Sequence, residues 1–370
     1  MVLTGSNGET RSEIIRALKL SSMLGETDSS DQLVKLLSEA KAKTSDLLSA
    51  NNHEKNQMLK LSNRIILNNF AVDRSYLKSL ADHFDADVKS CDKTTTESLK
   101  MLIQSTNEWI SSETSGKIKN LLDDNFELNA LALINVIYFK FDWLNKFDES
   151  QTTKKAFSCL LGEKKIKKRV EMMQLRGKKL VYGYSTSLDA HHVSLPYDGD
   201  KFTFNVILPV DENDLLNANQ ARSLINKLDL VALSDELRGE LSIHEVNLEM
   251  PKFRVEKRIE LGSLLKKMGI VSAFDSARAD LSAMSMVEKL FIDEALQLAY
   301  IDVNEQGTEA AAATAIKISK RSLVQYIDIN LNRTFVLYIT DKRSSLILFV
   351  GIYRAQEIDE QLEEAINDEL

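Results

Sequence analysis

The sequence predicts an α+β fold, and three observations carry that expectation. Up to about residue 130 the apolar residues recur mainly at helical spacing. Beyond it, short apolar or alternating runs of strand type dominate. The two kinds do not alternate as they would in a βαβ series. Composition suits a packed core, with 44% hydrophobic and 28% charged residues. With only 13 Gly and 3 Pro, linker-rich or collagen-like architectures are excluded. No internal repeat or linker is evident, so residues 1–354 read as one domain and 355–370 as a tail.

Taken in order, Ile14, Ile15, Leu18 and Leu20 predict a first helix, and Leu33, Leu36 and Leu37 a second. Thr94 to Ile110 predicts a third, stopped at Thr114-Ser115-Gly116, where glycine suits a left-handed cap. Ala130 to Phe139 is a nearly unbroken apolar run, the mark of a strand covered on both faces. Further strands are predicted at 192–197, 202–209, 245–253, 335–340 and 346–351, with helices at about 215–235 and Glu260–Met268.

Charge is uneven. Residues 355–370 hold seven carboxylates (Glu357, Asp359, Glu360, Glu363, Glu364, Asp368, Glu369) and no Lys or Arg, out of a net charge of −8. Residues 154–179 hold ten cations against Glu163 and Glu171. The run Lys164, Lys165, Lys167, Lys168 and Arg169 reads either as a solvated hairpin or as a site for a polyanion such as a sulfated glycan. The acidic balance argues against nucleic-acid binding. No apolar run approaches the length of a membrane span. Cys91 and Cys159 cannot build a disulfide framework. The start, Met1-Val-Leu-Thr-Gly5, lacks the basic and apolar regions of a signal peptide.

Catalytic chemistry finds no anchor. His53, His83, His191, His192 and His244 have no zinc-ligand spacing, and adjacent His191 and His192 point to opposite faces of a strand. No phosphate loop, C-x-x-C or nucleophile elbow is present. The expectation is a protein that is not an enzyme and needs no metal or cofactor.

Residues 305–322 differ from the rest. Thr308, Ala310, Ala312, Thr314, Ile316 and Ile318 form one uncharged set of alternate residues, whereas Glu309 and Lys317 fall in the other. That is a period-2 strand with one buried face, small enough at first to slide between two existing strands. Gly307 provides freedom at its base, and Lys320-Arg321 is a site for a trypsin-like protease. The segment can serve as exposed bait and as internal strand at different times.

On these residues the chain resembles the serpins, over nearly its whole length. The hinge Glu305-Gln-Gly307-Thr308-Glu309-Ala310-Ala311-Ala312-Ala313-Thr314 carries the likeness. Asn135-Val-Ile-Tyr-Phe-Lys-Phe-Asp-Trp143, Leu195-Pro-Tyr197, Met250-Pro-Lys-Phe253 and Asn332-Arg-Thr-Phe335 follow in the family's order. The resemblance implies helices around three β-sheets and an exposed reactive-centre loop. It implies a suicide-substrate inhibitor: a protease cuts the loop, forms an acyl-enzyme, and is trapped as the loop inserts into the central sheet. The uncut loop, Thr308 included, is then expected in solvent.

Fourteen positions past Gly307 lies Arg321, so Arg321-Ser322 is the expected reactive bond, with Lys320 as the alternative. A basic bait implies a trypsin-like target, and the dibasic pair suits a proprotein convertase. Asn135, Trp143 and Gln297 fall where the sheet opens; Gln297 stands where the family often has His. The family's first helix and a strand have no counterpart here. The ending Asn367-Asp-Glu-Leu370 is close to an endoplasmic-reticulum retention signal, so the secretory pathway is the expected location and the cytoplasm the alternative. A non-inhibitory, chaperone-like binding module is the competing function. A monomer is expected.

Overall fold

The computed structural model describes residues 1–24, 30–52, 57–91, 96–123, 125–161, 164–186, 188–210, 241–308 and 325–355. The predicted helix at 215–235, the loop residues Glu309 to Thr314, the bond Arg321-Ser322 with Lys320, and the acidic tail from residue 356 lie outside the described residues.

In chain order the described helices and strands begin with α1 (Val2–Gly5), α2 (Gly8–Ala17), α3 (Ser21–Leu24), α4 (Ser30–Leu48), β1 (Met58–Asn68), α5 (Arg74–Phe84), β2 (Ala86–Cys91) and α6 (Thr96–Glu113). Next come β3 (Leu131–Asp142), β4 (Thr153–Leu161), β5 (Lys164–Ser185), β6 (Ala190–Pro196), β7 (Phe202–Pro209), β8 (Ser242–Pro251), β9 (Phe253–Glu260) and α7 (Leu261–Lys267). The series closes with β10 (Ile292–Val303), β11 (Gly307–Thr308), β12 (Ile327–Asn330), β13 (Phe335–Asp341) and β14 (Ile347–Tyr353). The chain divides into two compact units, Met1–Phe139 with Val255–Ile301, and Lys140–Arg254 with Asp302–Leu370.

In the first unit β1 runs parallel to β2, and β3 parallel to β10, with Asn135 opposite Gln297. Side chains alternate across β3. Ala132, Ile134, Val136 and Tyr138 join one apolar cluster with α6 and residues 118–128. Leu131 and Leu133 join the other, with α1, α2, α4 and α5. The strand predicted from an unbroken apolar run is thus covered on both faces. The third predicted helix is α6, and Gly116 beyond it takes a left-handed φ of +79°.

The early region, read as mainly helical, also holds two strands, β1 and β2. The alternation in β1 is broken by Lys60, Ser62, Asn63 and Arg64. Each has a partner distant in sequence. Lys60 donates to the Ser112 carbonyl, Ser62 to Glu113, and Asn63 to the Phe84 carbonyl. Arg64 is buried beneath the Trp109 ring at 4.2 Å and donates to Asp87 at 2.5 Å. Tertiary partners, absent from local sequence, make these polar residues compatible with a strand.

The second unit contains an eight-stranded sheet in the order β12-β8-β5-β6-β7-β13-β14, with β4 pairing to β5. β5 is 22 residues long and bulges between Leu175 and Lys178. Its first half pairs with β4 and its second with β6, so pairings join into one sheet what the family likeness divides in two. His191 and His192 do take opposite faces. His191 meets Tyr182 at 2.8 Å, and buried His192 meets the Tyr338 hydroxyl at 2.8 Å.

Candidate functional site

The hinge root is built within the second unit. β11, only Gly307 and Thr308, lies between the ends of β3 and β10. Gly307 pairs with Asp142, and Thr308 with Phe141 on one side and Val303 on the other. Thr308 is fully buried, and its hydroxyl shares a 2.8 Å hydrogen bond with that of Tyr197. This corrects the expectation of a solvated Thr308: it is buried and paired with a strand on each side.

Gly307 is required by space rather than by φ. A Cβ there would stand 2.1 Å from the Phe141 carbonyl oxygen and 2.5 Å from the Asp142 Cα. Only a hydrogen fits between the hinge and β3.

The residues before the glycine are fastened from several sides. Trp143 donates its backbone N–H to the Gln306 carbonyl and its indole N–H to the Asn304 carbonyl, both at 2.8 Å. Its indole stacks on Tyr197 with centroids 4.6 Å apart and planes 14° from parallel, and it meets Phe204 edge-on. Phe147 donates its N–H to the Glu305 carbonyl. The Asn304 side chain accepts from the N–H groups of Gln306 and Gly307. Gln306 donates to Glu149 at 3.1 Å.

Glu305 is the electrostatic centre. Its carboxylate accepts from the Thr152 hydroxyl at 2.7 Å and pairs with Lys252 Nζ at 3.0 Å. Burial alone would raise its pKa, but these two bonds outweigh burial and hold the carboxyl below its ordinary range. Lys252 responds in the opposite sense: burial would lower it, and Glu305 raises it. A buried carboxylate held this way ties the strand end to the loops at 152 and 252.

The second predicted region lies in the first unit. Gln297 Nε2 donates to Asn135 Oδ1 at 2.9 Å, and Asn135 Nδ2 donates to Asn63 Oδ1 at 3.0 Å. Asn63 continues to the Phe84 carbonyl. Gln, with both donor and acceptor, fills the position taken by His in the expectation. Of the three residues grouped in the sequence, Asn135 and Gln297 therefore meet, whereas Trp143 belongs to the hinge root. Sequence reasoning missed Lys252, Thr152, Glu149, Asn304 and Tyr197 as members of that root. Lys252 and Tyr197 lie inside quoted motifs, but nothing local pointed them at Glu305 or Thr308.

The basic run also divides. In the β4–β5 register Lys165, Lys167 and Arg169 share a face with Leu160, Ser158 and Ala156, while Lys164 and Lys168 lie opposite Leu161 and Phe157 on the other. The five cations do not form one flat patch.

Comparison with known proteins shows the family and the fold. The family model described as Serpin (serine protease inhibitor) matches residues 1–355. A human leukocyte elastase inhibitor is 34% identical over 301 residues, 80% of this chain and 76% of that protein. Intracellular coagulation inhibitor 2 of Tachypleus tridentatus is 32% identical over 292 residues, 78% of this chain and 68% of that protein. Among solved structures, Serpin48 of the insect Tenebrio molitor aligns with a TM-score of 0.73 at 27% identity, covering 96% of this chain and 88% of that one. Family model, relatives and fold coincide with a glycine-threonine hinge wedged between two central strands, and the chain belongs to the serpin (serine protease inhibitor) family.

Proposed function

We propose that this serpin inhibits a trypsin-like, Arg- or Lys-specific serine protease as a suicide substrate, with Arg321-Ser322 as the cleaved bond. The observation that supports the reading is Thr308, already paired with both Phe141 and Val303. A loop whose first residue is seated between its future neighbours has its direction of insertion set. The sequence behind it, Glu309 to Thr314, has no bulky residue or Pro to stop the strand from extending. Residues 1–354 act as one functional domain in this reading.

The mechanism follows from bond order. The protease serine attacks the carbonyl of Arg321 and expels the amine of Ser322, leaving an ester between protease and residue 321. The freed strand extends from Thr308 between β3 and β10, replacing solvent contacts with ladder hydrogen bonds. Insertion before deacylation keeps the ester. Thr308, Gly307 and the Glu305–Lys252 pair set where the strand starts; no residue of the inhibitor does chemistry.

Lys320-Arg321 also suits a dibasic-cutting proprotein convertase as target. The Tachypleus relative is named an intracellular inhibitor, which supports action inside the cell, either in the cytoplasm or, through Asn367-Asp-Glu-Leu370, in the secretory pathway. A sulfated glycan would be met by Lys165, Lys167 and Arg169 on one face of β5, with Lys164 and Lys168 on the other.

The test is an SDS-stable complex. Incubation with trypsin is expected to give a covalent band larger than either protein, and Arg321→Ala is expected to abolish it with the fold intact. A complex retained by Arg321→Ala with cleavage after Lys320 moves the bond by one. Turnover of the wild type with no complex favours the binding-module reading.

A further inference from the structure

The inhibitory reading puts the new strand into the seam between β3 and β10, and the two ends of that seam are built differently. At one end β11 already separates the strands, with Thr308 opposite Phe141 and Val303. Below that rung the strands pair directly, from Tyr138 with Tyr300 down to Leu131 with Ile292. Side chains also tie them together. Gln297 reaches Asn135, and both stand six residues below the partners of Thr308, Asn135 counted from Phe141 and Gln297 from Val303.

A stronger tie lies at the remote end. Ile292 pairs with Leu131 and Glu294 with Ala132, which leaves Asp293 as the extra residue of a bulge. A bulged residue gives up its place in the ladder and re-aims its side chain. One oxygen of the Asp293 carboxylate, Oδ2, accepts the backbone N–H groups of Asn129, Ala130 and Leu131, at 2.8, 2.5 and 3.2 Å. Bonds to an ionised acceptor are stronger than neutral ones. The residues so held belong to the β1–β3 side of the seam. Asn68, at the end of β1, donates its N–H to the Ala130 carbonyl at 3.0 Å and its Nδ2 to the Asn129 carbonyl at 3.1 Å. Asp293 is on β10, so its three bonds join one side of the seam to the other.

A strand entering the seam adds about 4.8 Å between β3 and β10. That is longer than any of the three bonds, so none survives beside a complete new strand. Entry from the β11 end meets the Gln297–Asn135 bond first. It meets Asp293 last, ten residues below Val303 and level with Leu131, ten below Phe141. Resting on the inhibitory reading, we propose that Asp293 is a positioning residue for insertion: it pins the remote end of the seam in the uncut protein and sets the last barrier to complete entry of the strand. A residue that only holds the fold stabilises the intact and cleaved forms alike. A pin across the seam stabilises the intact form alone.

Thermal unfolding of intact and trypsin-cleaved full-length protein separates the two roles. The variants are Asp293→Ala and Asp293→Asn, the second keeping a neutral acceptor. Intact Asp293→Ala is expected to melt several degrees below intact wild type, with Asp293→Asn between them. The cleaved forms are expected to melt together, so the gain on cleavage widens from wild type to Asn to Ala. Trapping gives the second readout: fewer inhibitor molecules are expected to be consumed per trypsin held in an SDS-stable complex when Asp293 is replaced. Equal falls in the intact and cleaved forms, no fall in either, or unchanged consumption would overturn the pin and leave inhibition standing. If Asp293→Ala fails to fold, the same comparison between Asp293→Asn and wild type decides. A wild type that gains nothing on cleavage and forms no complex would refute the inhibitory reading itself, and the pin with it.

Discussion

Replacing Thr308 by Arg separates two costs that the hinge geometry creates. In the intact protein Thr308 is fully buried between Phe141 and Val303 and bonded to Tyr197. Arginine there either stays in place or forces the hinge out. Staying buries a charge without a partner, at about 3–5 kcal/mol. Withdrawing gives up the Tyr197 bond and the two short pairings, at about 1 kcal/mol net per hydrogen bond, or about 2–3 kcal/mol together. Withdrawal is cheaper, so that figure sets the loss. For 370 residues the unfolding entropy is about 0.8 kcal/mol per degree, so the intact variant is expected to melt about 3–4 °C below wild type. After cleavage the cost is larger in kind. The strand cannot follow a residue that will not enter, so the variant forgoes the whole gain of insertion. Calorimetry before and after limited trypsin cleavage reads both effects. Cleavage is expected to proceed at substrate-like turnover without a covalent complex. An intact variant melting with wild type would refute the buried hinge. A cleaved variant that gains as much stability as cleaved wild type would refute the order of insertion.

Three further outcomes follow. Gly307→Ala puts a Cβ 2.1 Å from the Phe141 oxygen, so overpacking is expected to cost about 1–3 kcal/mol in the melting of the intact protein and to shift the reaction with trypsin toward turnover. Lys252→Ala removes a half-exposed partner of the buried Glu305 carboxylate, with an expected loss of about 1–2 kcal/mol by denaturant titration at neutral pH. Because Glu305 sits below its ordinary 4.5, its contribution is present above that pH and lost as pH falls through the lower folded value; the acid slope in that range is expected to be shallower in Lys252→Ala than in wild type. Burial depresses His192 from 6.5 to about 4, so the unfolded chain binds its proton first and stability falls as pH drops from 6.5 toward 4; the linkage is worth about 3 kcal/mol, and His192→Gln is expected to flatten that part of the melting curve against pH.

Much of the fold was legible because its strongest signals are local. The apolar run at 130–139 and the amphipathic α6 needed only periodicity to be read. β1 was not, because Lys60 and Arg64 occupy positions that only α6 and β2 make sense of. The hinge shows the same division. Small, alternating residues after Gly307 announce a strand able to insert. That Thr308 is already seated depends on the Tyr197 hydroxyl, 111 positions away in sequence. The pairing of Glu305 with Lys252 and Thr152 is equally non-local, and no spacing rule connects them. Asn135 and Gln297 were placed together through family likeness; the register of two parallel strands is what makes them partners.

The inhibitory account stands or falls on what cleavage does to the wild-type chain. Limited trypsin digestion at the reactive bond, followed by thermal unfolding of the intact and cleaved forms in the same buffer, measures it. The account predicts that the cleaved form melts far above the intact one, because residues beyond Thr308 enter between β3 and β10 and complete the ladder that β11 begins. A cleaved form that melts at the temperature of the intact protein would show that the loop does not insert, and would contradict the account.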